Sequence, residues 1–251
     1  MSFRTLNTTE KTNSNPATKF LEWKSEKKCF QYYDKEIAEK LKNEGKDKEY
    51  IKEKANIEVN LPLKFQFLED FHTIKGFSDS EQTGIYSNEI KFTSKDSLTV
   101  KTFGGTTIAE GLYNDIRLKI IDAGGKYHKS IYAVLNGELV NFQIKGSVVS
   151  AFSLFANGQK KTPKQPFVQG HSNRFESHFI EINDFESLKK GATKYTVPNF
   201  TIGDAYTPED LKTAKEKYLV ISEYFKAYSN KDNTPLEDVE VDAELVDDLD
   251  F

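Results

Sequence analysis

Apolar positions along this chain fall mostly into short alternating runs, which predict strands. A few segments instead space their apolar residues three and four apart, which predicts helices. The run "KFLEWKSEKKCFQYYDKE" (19–36) reads as a hairpin or paired strands, with Phe30 and Tyr32 on one face and Cys29 and Tyr33 on the other. The following "DKEIAEKLKNEGKDKEYIKEKAN" is almost entirely charged and predicts an exposed helical or flexible excursion between strands. Alternation returns in "IEVNLPLKFQFLE" (57–69), and after a loop containing "GFSDSEQTG" two short strands are expected in "IYSNEIKF" and "LTVKTFGG".

The segment 108–123 predicts the clearest internal helix, with Ala109, Leu112, Tyr113, Ile116, Ile120 and Ala123 on one face and Gly124-Gly125 as the stop. "KYHKSIYAVLNGELVNFQIKG" predicts a hairpin about Asn136-Gly137, the strongest short turn signal for one. "SVVSAFSLFAN" reads as a short helix ending at Gly158, with Lys160, Lys161 and Lys164 in a Pro-containing loop beyond it. Strands near "SHFIEIN" and "TKYTVPNFTI" then precede a helix over 208–229. Thr207-Pro208 and Asp210 supply its start, and Leu211, Ala214, Tyr218, Ile221, Phe225 and Tyr228 its docking stripe.

This order predicts an α+β, mainly β, fold: an OB-like small β-barrel with inserted helices and a C-terminal helix, with other α+β folds open as alternatives. The expected organisation is a flexible N-terminal arm (1–18), a barrel core (19–206), a docked helix (207–229) and a disordered acidic tail (230–251).

Charge changes the picture at one end only. Eight acidic residues and no basic one lie between Glu237 and Asp250, and without them 31 acidic residues face 35 basic ones. The body is thus mildly basic and the tail acidic, an asymmetry that invites an interaction reading. A single cysteine, Cys29, excludes an intramolecular disulfide framework and suits a reducing interior. The N-terminus lacks the apolar core of a signal peptide, and no run approaches a membrane span, so a cytoplasmic protein is expected.

No catalytic constellation assembles. "FGGTT" and "DAGGKY" lack the spacing and the Lys-Ser/Thr pair of a phosphate-binding loop, and neither His-Glu-x-x-His nor Gly-x-Ser-x-Gly occurs. His171 and His178 are expected in surface or structural roles. No metal or cofactor is expected. Single-stranded nucleic-acid binding needs cations along the backbone and aromatic faces for bases. Two stretches combine them: Trp23, Phe30, Tyr32 and Tyr33 with Lys24, Lys27, Lys28 and Lys35, then Lys126, Tyr127, Lys129 and Tyr132 leading to Phe142 and Lys145. Because side chains alternate along strands, about half of these aromatics are expected to face inward. In the tail, Asp247, Asp248 and Asp250 surround Phe251, a small anchor-and-rim arrangement for a partner's basic pocket. The same tail is able to fold back over a basic groove and compete with nucleic acid.

The ending "DDLDF" resembles the acidic, phenylalanine-terminated tails of replicative single-stranded-DNA-binding proteins of bacteria and several bacteriophages. "EWKSEKKCFQYYDKE", "TIKGFSDSEQTGIYSNEI" and "GGKYHKSIYAVLNGELVNFQIKG" are similar to a family of bacteriophage proteins associated with DNA replication modules. The tail lacks the proline before the last phenylalanine of the bacterial version, which points to a phage-encoded partner. These resemblances imply an OB core that binds single-stranded DNA without sequence preference, in replication, recombination or repair. They also imply a tail that recruits a polymerase, helicase or primase. The rival expectations are a phage structural or interaction protein, or a nucleic-acid enzyme such as a nuclease or an annealing recombinase.

Overall fold

Asn136-Gly137 turns the chain as its sequence requires. Both residues take positive φ, 52° and 80°, and join strands that pair in register from Leu135↔Glu138 to His128↔Lys145. The structure is a computed structural model and describes residues 15–229. Eleven strands form one sheet: β1 (Lys19–Lys24), β2 (Cys29–Tyr33), β3 (Asn56–Val59), β4 (Leu63–Ser78), β5 (Thr83–Ser87), β6 (Leu98–Thr102), β7 (Thr107–Gly111), β8 (Gly125–Leu135), β9 (Glu138–Lys145), β10 (His178–Lys190) and β11 (Thr193–Ala205). Among the described residues five α-helices accompany them: α1 (Lys35–Asn43), α2 (Lys48–Ala55), α3 (Tyr113–Asp122), α4 (Ser147–Asn157) and α5 (Pro208–Ser229).

The main path runs β3-β2-β1-β9-β8-β4-β5-β6-β7. The 16-residue β4 is the branch point. Along one edge it pairs with β8; along the other its first residues pair with β10 and its last with β5. β1 joins β9 in parallel; the other pairings are antiparallel. Where the sequence predicts a small barrel, the ladders form a large open sheet that none of them closes.

One face of β1, β2, β4, β8 and β9 packs with β10, β11 and α4 around the largest core, which includes Leu21, Phe30, Phe65, Phe142, Phe152 and Ile180. On the opposite face α5 buries Ala214 and Ile221 against Leu68, Tyr132, Val134 and Leu139. Its start is held by a reciprocal cap: Thr207 N donates to Asp210 Oδ2 (2.9 Å) and Asp210 N to Thr207 Oγ1 (3.2 Å). A third core lies between α3 and β4–β7.

The charged excursion folds as α1 and α2, capped by Asp34 and Asp47. The predicted helix over 108–123 is corrected. Its first part is β7, paired Val100↔Ala109 and Leu98↔Gly111, and only Tyr113–Asp122 is helical. Ala109 sits in the core through that ladder, a non-local pairing that overrides local spacing. Likewise β4 extends through Ser78 into the predicted loop. Residues 15–18 are attached to the body: Ala17 is buried, and Thr18 N donates to Leu139 O at 3.0 Å. The remainder of the predicted arm and the acidic tail, with Asp247, Asp248, Asp250 and Phe251, lie outside the described residues. No described helix is long and apolar enough to cross a membrane.

Candidate nucleic-acid interface

Opposite residues in a ladder point to the same side of a sheet, so the registers give the composition of each face directly. Away from the main core, Lys75 pairs with Lys126, and Thr73 pairs with His128, which pairs with Lys145. The next row runs Phe71–Ser130–Gln143–Glu22–Gln31–Glu58. Lys24 stands opposite Cys29, and Phe20 opposite Asn141. Beyond the part that α5 covers, which ends at Phe71, this face of β1, β9, β8 and β4 is mainly polar, although its reverse is the largest apolar core. Four lysines (24, 75, 126 and 145) surround it.

The row centres are buried and satisfied. Asn141 and Ser130 bond each other at 3.2 Å. Tyr132 donates its hydroxyl proton to Glu89 (2.7 Å) and accepts from Asn15 Nδ2 (2.9 Å). Burial raises the Glu89 carboxyl above its ordinary range, against the opposing bonds from Ser130 and Tyr132 and the charge of Lys75. Burial lowers Lys75 and Lys145, with Glu89 and Glu22 pulling back. At Glu22 burial acts upward, but Lys24, 3.1 Å away, together with Lys145 prevails and holds the carboxyl low. Glu22 and Lys24 keep about a third of their side-chain surface in solvent, 31% and 33%. Lys75 and Lys145 thus share this face with the Glu89 and Glu22 carboxyls that partly offset their burial penalty.

His128 donates Nδ1–H to Lys126 O at 3.0 Å, and burial holds it neutral, down to about 4 from 6.5. Its folded value is depressed, so the stabilisation is complete above about pH 6.5 and is lost as pH falls toward 4. On lowering the pH from 7.5 to 4.5, wild type is expected to lose about 2 kcal/mol more stability than His128→Asn, which keeps the donor but does not titrate. Urea unfolding at the two pH values measures the difference; equal losses would contradict a buried neutral imidazole.

The structure separates the predicted site residues. Lys24, Lys126 and Lys145 come together on the polar face, with half-buried Tyr33 beyond them in the β2–β3 ladder. Trp23, Phe30 and Tyr132 are corrected: all three are buried and offer no ring to a base. Trp23 meets Phe30 edge-on at 5.2 Å and donates Nε1–H to Thr196 O at 2.9 Å; Phe30 in turn meets Phe142 at 5.1 Å. Tyr127 and Lys129 point to the opposite side of β8. Tyr127 packs on Tyr113 and bonds His72; Lys129 is ion-paired with Asp70. Tyr32 lies against the core beneath the Lys19 ammonium. Lys27 is bonded to Glu58, and Lys28 lies over the Phe185 ring.

Sequence reasoning missed Lys75, because 70–78 reads as loop rather than as strand continuing the Phe71/Thr73/Lys75 alternation. It also missed the exposed Lys189, Lys190 and Lys194 at the β10–β11 turn. Thr196 N donates to Ser25 Oγ (2.6 Å) and Thr196 Oγ1 to Ser25 O (2.7 Å), which places that turn's strand beside the β1–β2 turn carrying Lys27 and Lys28. Among the described residues, no group of three His, Cys, Asp or Glu side chains is arranged to hold a metal ion. No protein-family model, curated protein or solved structure matches this chain.

Proposed function

We propose that this protein binds single-stranded DNA without sequence preference in phage DNA replication, recombination or repair. The observation that carries the reading is the group of four half-buried lysines, Lys24, Lys75, Lys126 and Lys145, around the polar part of the face that β8 and β9 turn away from the main core. If β5, β6, β7 and α3 are read as an insertion after β4, the remaining order β4-β8-β9-α4-β10-β11, with β4 flanked by β8 and β10, supports the OB reading: three strands, a helix, then two strands. In OB folds the second and third strands and the turn between the last two bind oligonucleotides. In this chain those parts are β8, β9 and the Lys189–Lys194 turn.

An OB-like barrel is part of the proposal. Its final gap, between β9 and β11, is occupied by the β1–β2 hairpin. β1 pairs with β9, while Trp23 and Ser25 reach β11 through side-chain bonds rather than a ladder. The acidic segment ending in Asp247, Asp248, Asp250 and Phe251 is proposed to recruit a polymerase, helicase or primase. With the interior rings committed to packing, binding rests more on phosphate neutralisation than on stacking at this face.

The test is a titration of the full chain against a fluorescent dT oligonucleotide over a range of salt. Binding is expected to weaken linearly in log–log form, with a slope of about −0.7 for each phosphate engaged. No binding at low salt, either by the full chain or by a chain ending at residue 235, would overturn the reading.

A further inference from the structure

The 37 residues from Leu139 to Phe175 contain no Asp or Glu, in a chain that has 39 acidic residues among 251. They do contain Lys145, Lys160, Lys161, Lys164 and Arg174. The three middle lysines sit on the loop that follows α4, and this loop is built to hold a shape. At its base two backbones touch: a Cβ added to Gly158, whose φ is +65°, would lie 2.3 Å from Gly170 N. Gln159 and Val168 exchange backbone hydrogen bonds of 2.7 and 3.0 Å, and His171 N donates to Phe155 O and Ala156 O at 3.0 Å. Toward the tip, Thr162 and Gln165 exchange bonds of 3.0 and 3.2 Å about Pro163-Lys164. Phe152 and Phe155 anchor the preceding helix in the main core.

What this support presents is unusual for a folded surface. Lys160, Lys161 and Lys164 are exposed and form no ion pair among the described residues. Phe167 is 65% exposed, the most exposed aromatic ring among them. Folding alone leaves such a ring in water without benefit. Three unneutralised cations on the same loop as an open aromatic ring match a chain of phosphates carrying unstacked bases. An anionic membrane surface also takes cations and a ring. However, the loop's other exposed or half-buried side chains are the polar Gln159, Thr162, Gln165 and Gln169 and the small apolar Pro163, Pro166 and Val168, with no second large ring or long aliphatic chain to insert beside Phe167.

We propose that the Gly158–Gly170 loop is a second contact for single-stranded nucleic acid, in which Phe167 stacks on a base and Lys160, Lys161 and Lys164 neutralise adjacent phosphates. This inference rests on the single-strand-binding reading and adds a site apart from the sheet face.

The experiment titrates the full-length wild type, Phe167→Ala and the triple variant Lys160→Gln/Lys161→Gln/Lys164→Gln against a fluorescent dT oligonucleotide at several salt concentrations. Unchanged melting temperatures serve as the control. Phe167→Ala is expected to weaken binding about 5- to 150-fold, the range of one lost stacked base. The triple variant is expected to reduce the log–log salt slope by about 2. If wild type binds and both variants match it, the loop proposal is overturned while the sheet face stands. If wild type fails to bind at low salt, the parent reading falls first. Sedimentation with phosphatidylserine vesicles closes the remaining route: vesicle binding lost in Phe167→Ala, with oligonucleotide affinity intact, makes the loop a membrane contact and overturns the proposal.

Discussion

Replacing Lys24, Lys126 and Lys145 together by glutamine is expected to weaken binding of a dT oligonucleotide about 100-fold at ~0.1 M salt. Each cation that neutralises a phosphate on a single strand contributes about 0.7 to the log–log salt slope, so three contribute about 2. Over the decade from 1 M to ~0.1 M salt, that slope is about two logarithms of affinity. Glutamine preserves much of the length and polarity of lysine, so the face keeps its packing. Glu22 loses its two principal counter-charges, Lys24 and Lys145. Its carboxyl then moves up under burial rather than remaining charged, and the fold is expected to lose on the order of 1 kcal/mol. The informative contrast is Lys129→Gln. Lys129 lies on the same strand as Lys126 but on the other face, ion-paired with Asp70. Its replacement is expected to leave the salt slope unchanged. Equal slopes for the triple variant and wild type would remove the sheet face as the interface.

The second large effect is on stability. Phe30→Ala is expected to cost about 3–5 kcal/mol, the range for truncating a buried aromatic. That is a large part of the roughly 5–15 kcal/mol that holds a domain folded. Phe30 has no solvent-accessible surface and lies between Trp23 and Phe142, which in turn meets Phe65 at 4.7 Å. Truncation leaves a void shared by three rings, and neighbours on paired strands have little freedom to fill it. Urea unfolding measures the cost, and titration below the unfolding transition measures oligonucleotide affinity. A core role predicts a large fall in stability with affinity per folded molecule retained. The opposite result, a stable variant that has lost affinity, would return Phe30 to the binding surface. Trp23, the only tryptophan, is equally informative. Its indole lies beneath β11, so its emission reports whether the β10–β11 ribbon is in place rather than whether a base has stacked.

The stretch 126–146 specifies its own hairpin because Asn136-Gly137 sets a local turn and the alternation on either side sets the register. The α5 helix is equally local: cap, proline and apolar stripe all lie within its own residues. In the segment 108–123 Ala109 and Leu112 fit a helical stripe, while the ladder to β6 that makes 107–111 a strand comes from residues about ten positions earlier. Aromatic residues interleaved with lysine were correctly placed on strands. Which of them face inward depends on register, and a shift of one residue exchanges the faces.

Taken alone, the amino-acid sequence determined the elements whose signals are short-range: the β1–β2 and β8–β9 hairpins, the helix after Gly146, the long helix from Pro208, and the uneven distribution of charge. Only the tertiary structure decided the polar face. Its lysines come from β1, β4, β8 and β9, and Lys24 reaches Lys145 through a parallel pairing of strands more than a hundred residues apart. The same pairing puts Trp23, Phe30 and Phe142 together on the reverse side, so gathering the cations and burying the rings are one event. Local propensity carries no information about strands so distant, because their pairing is selected by the core they jointly bury.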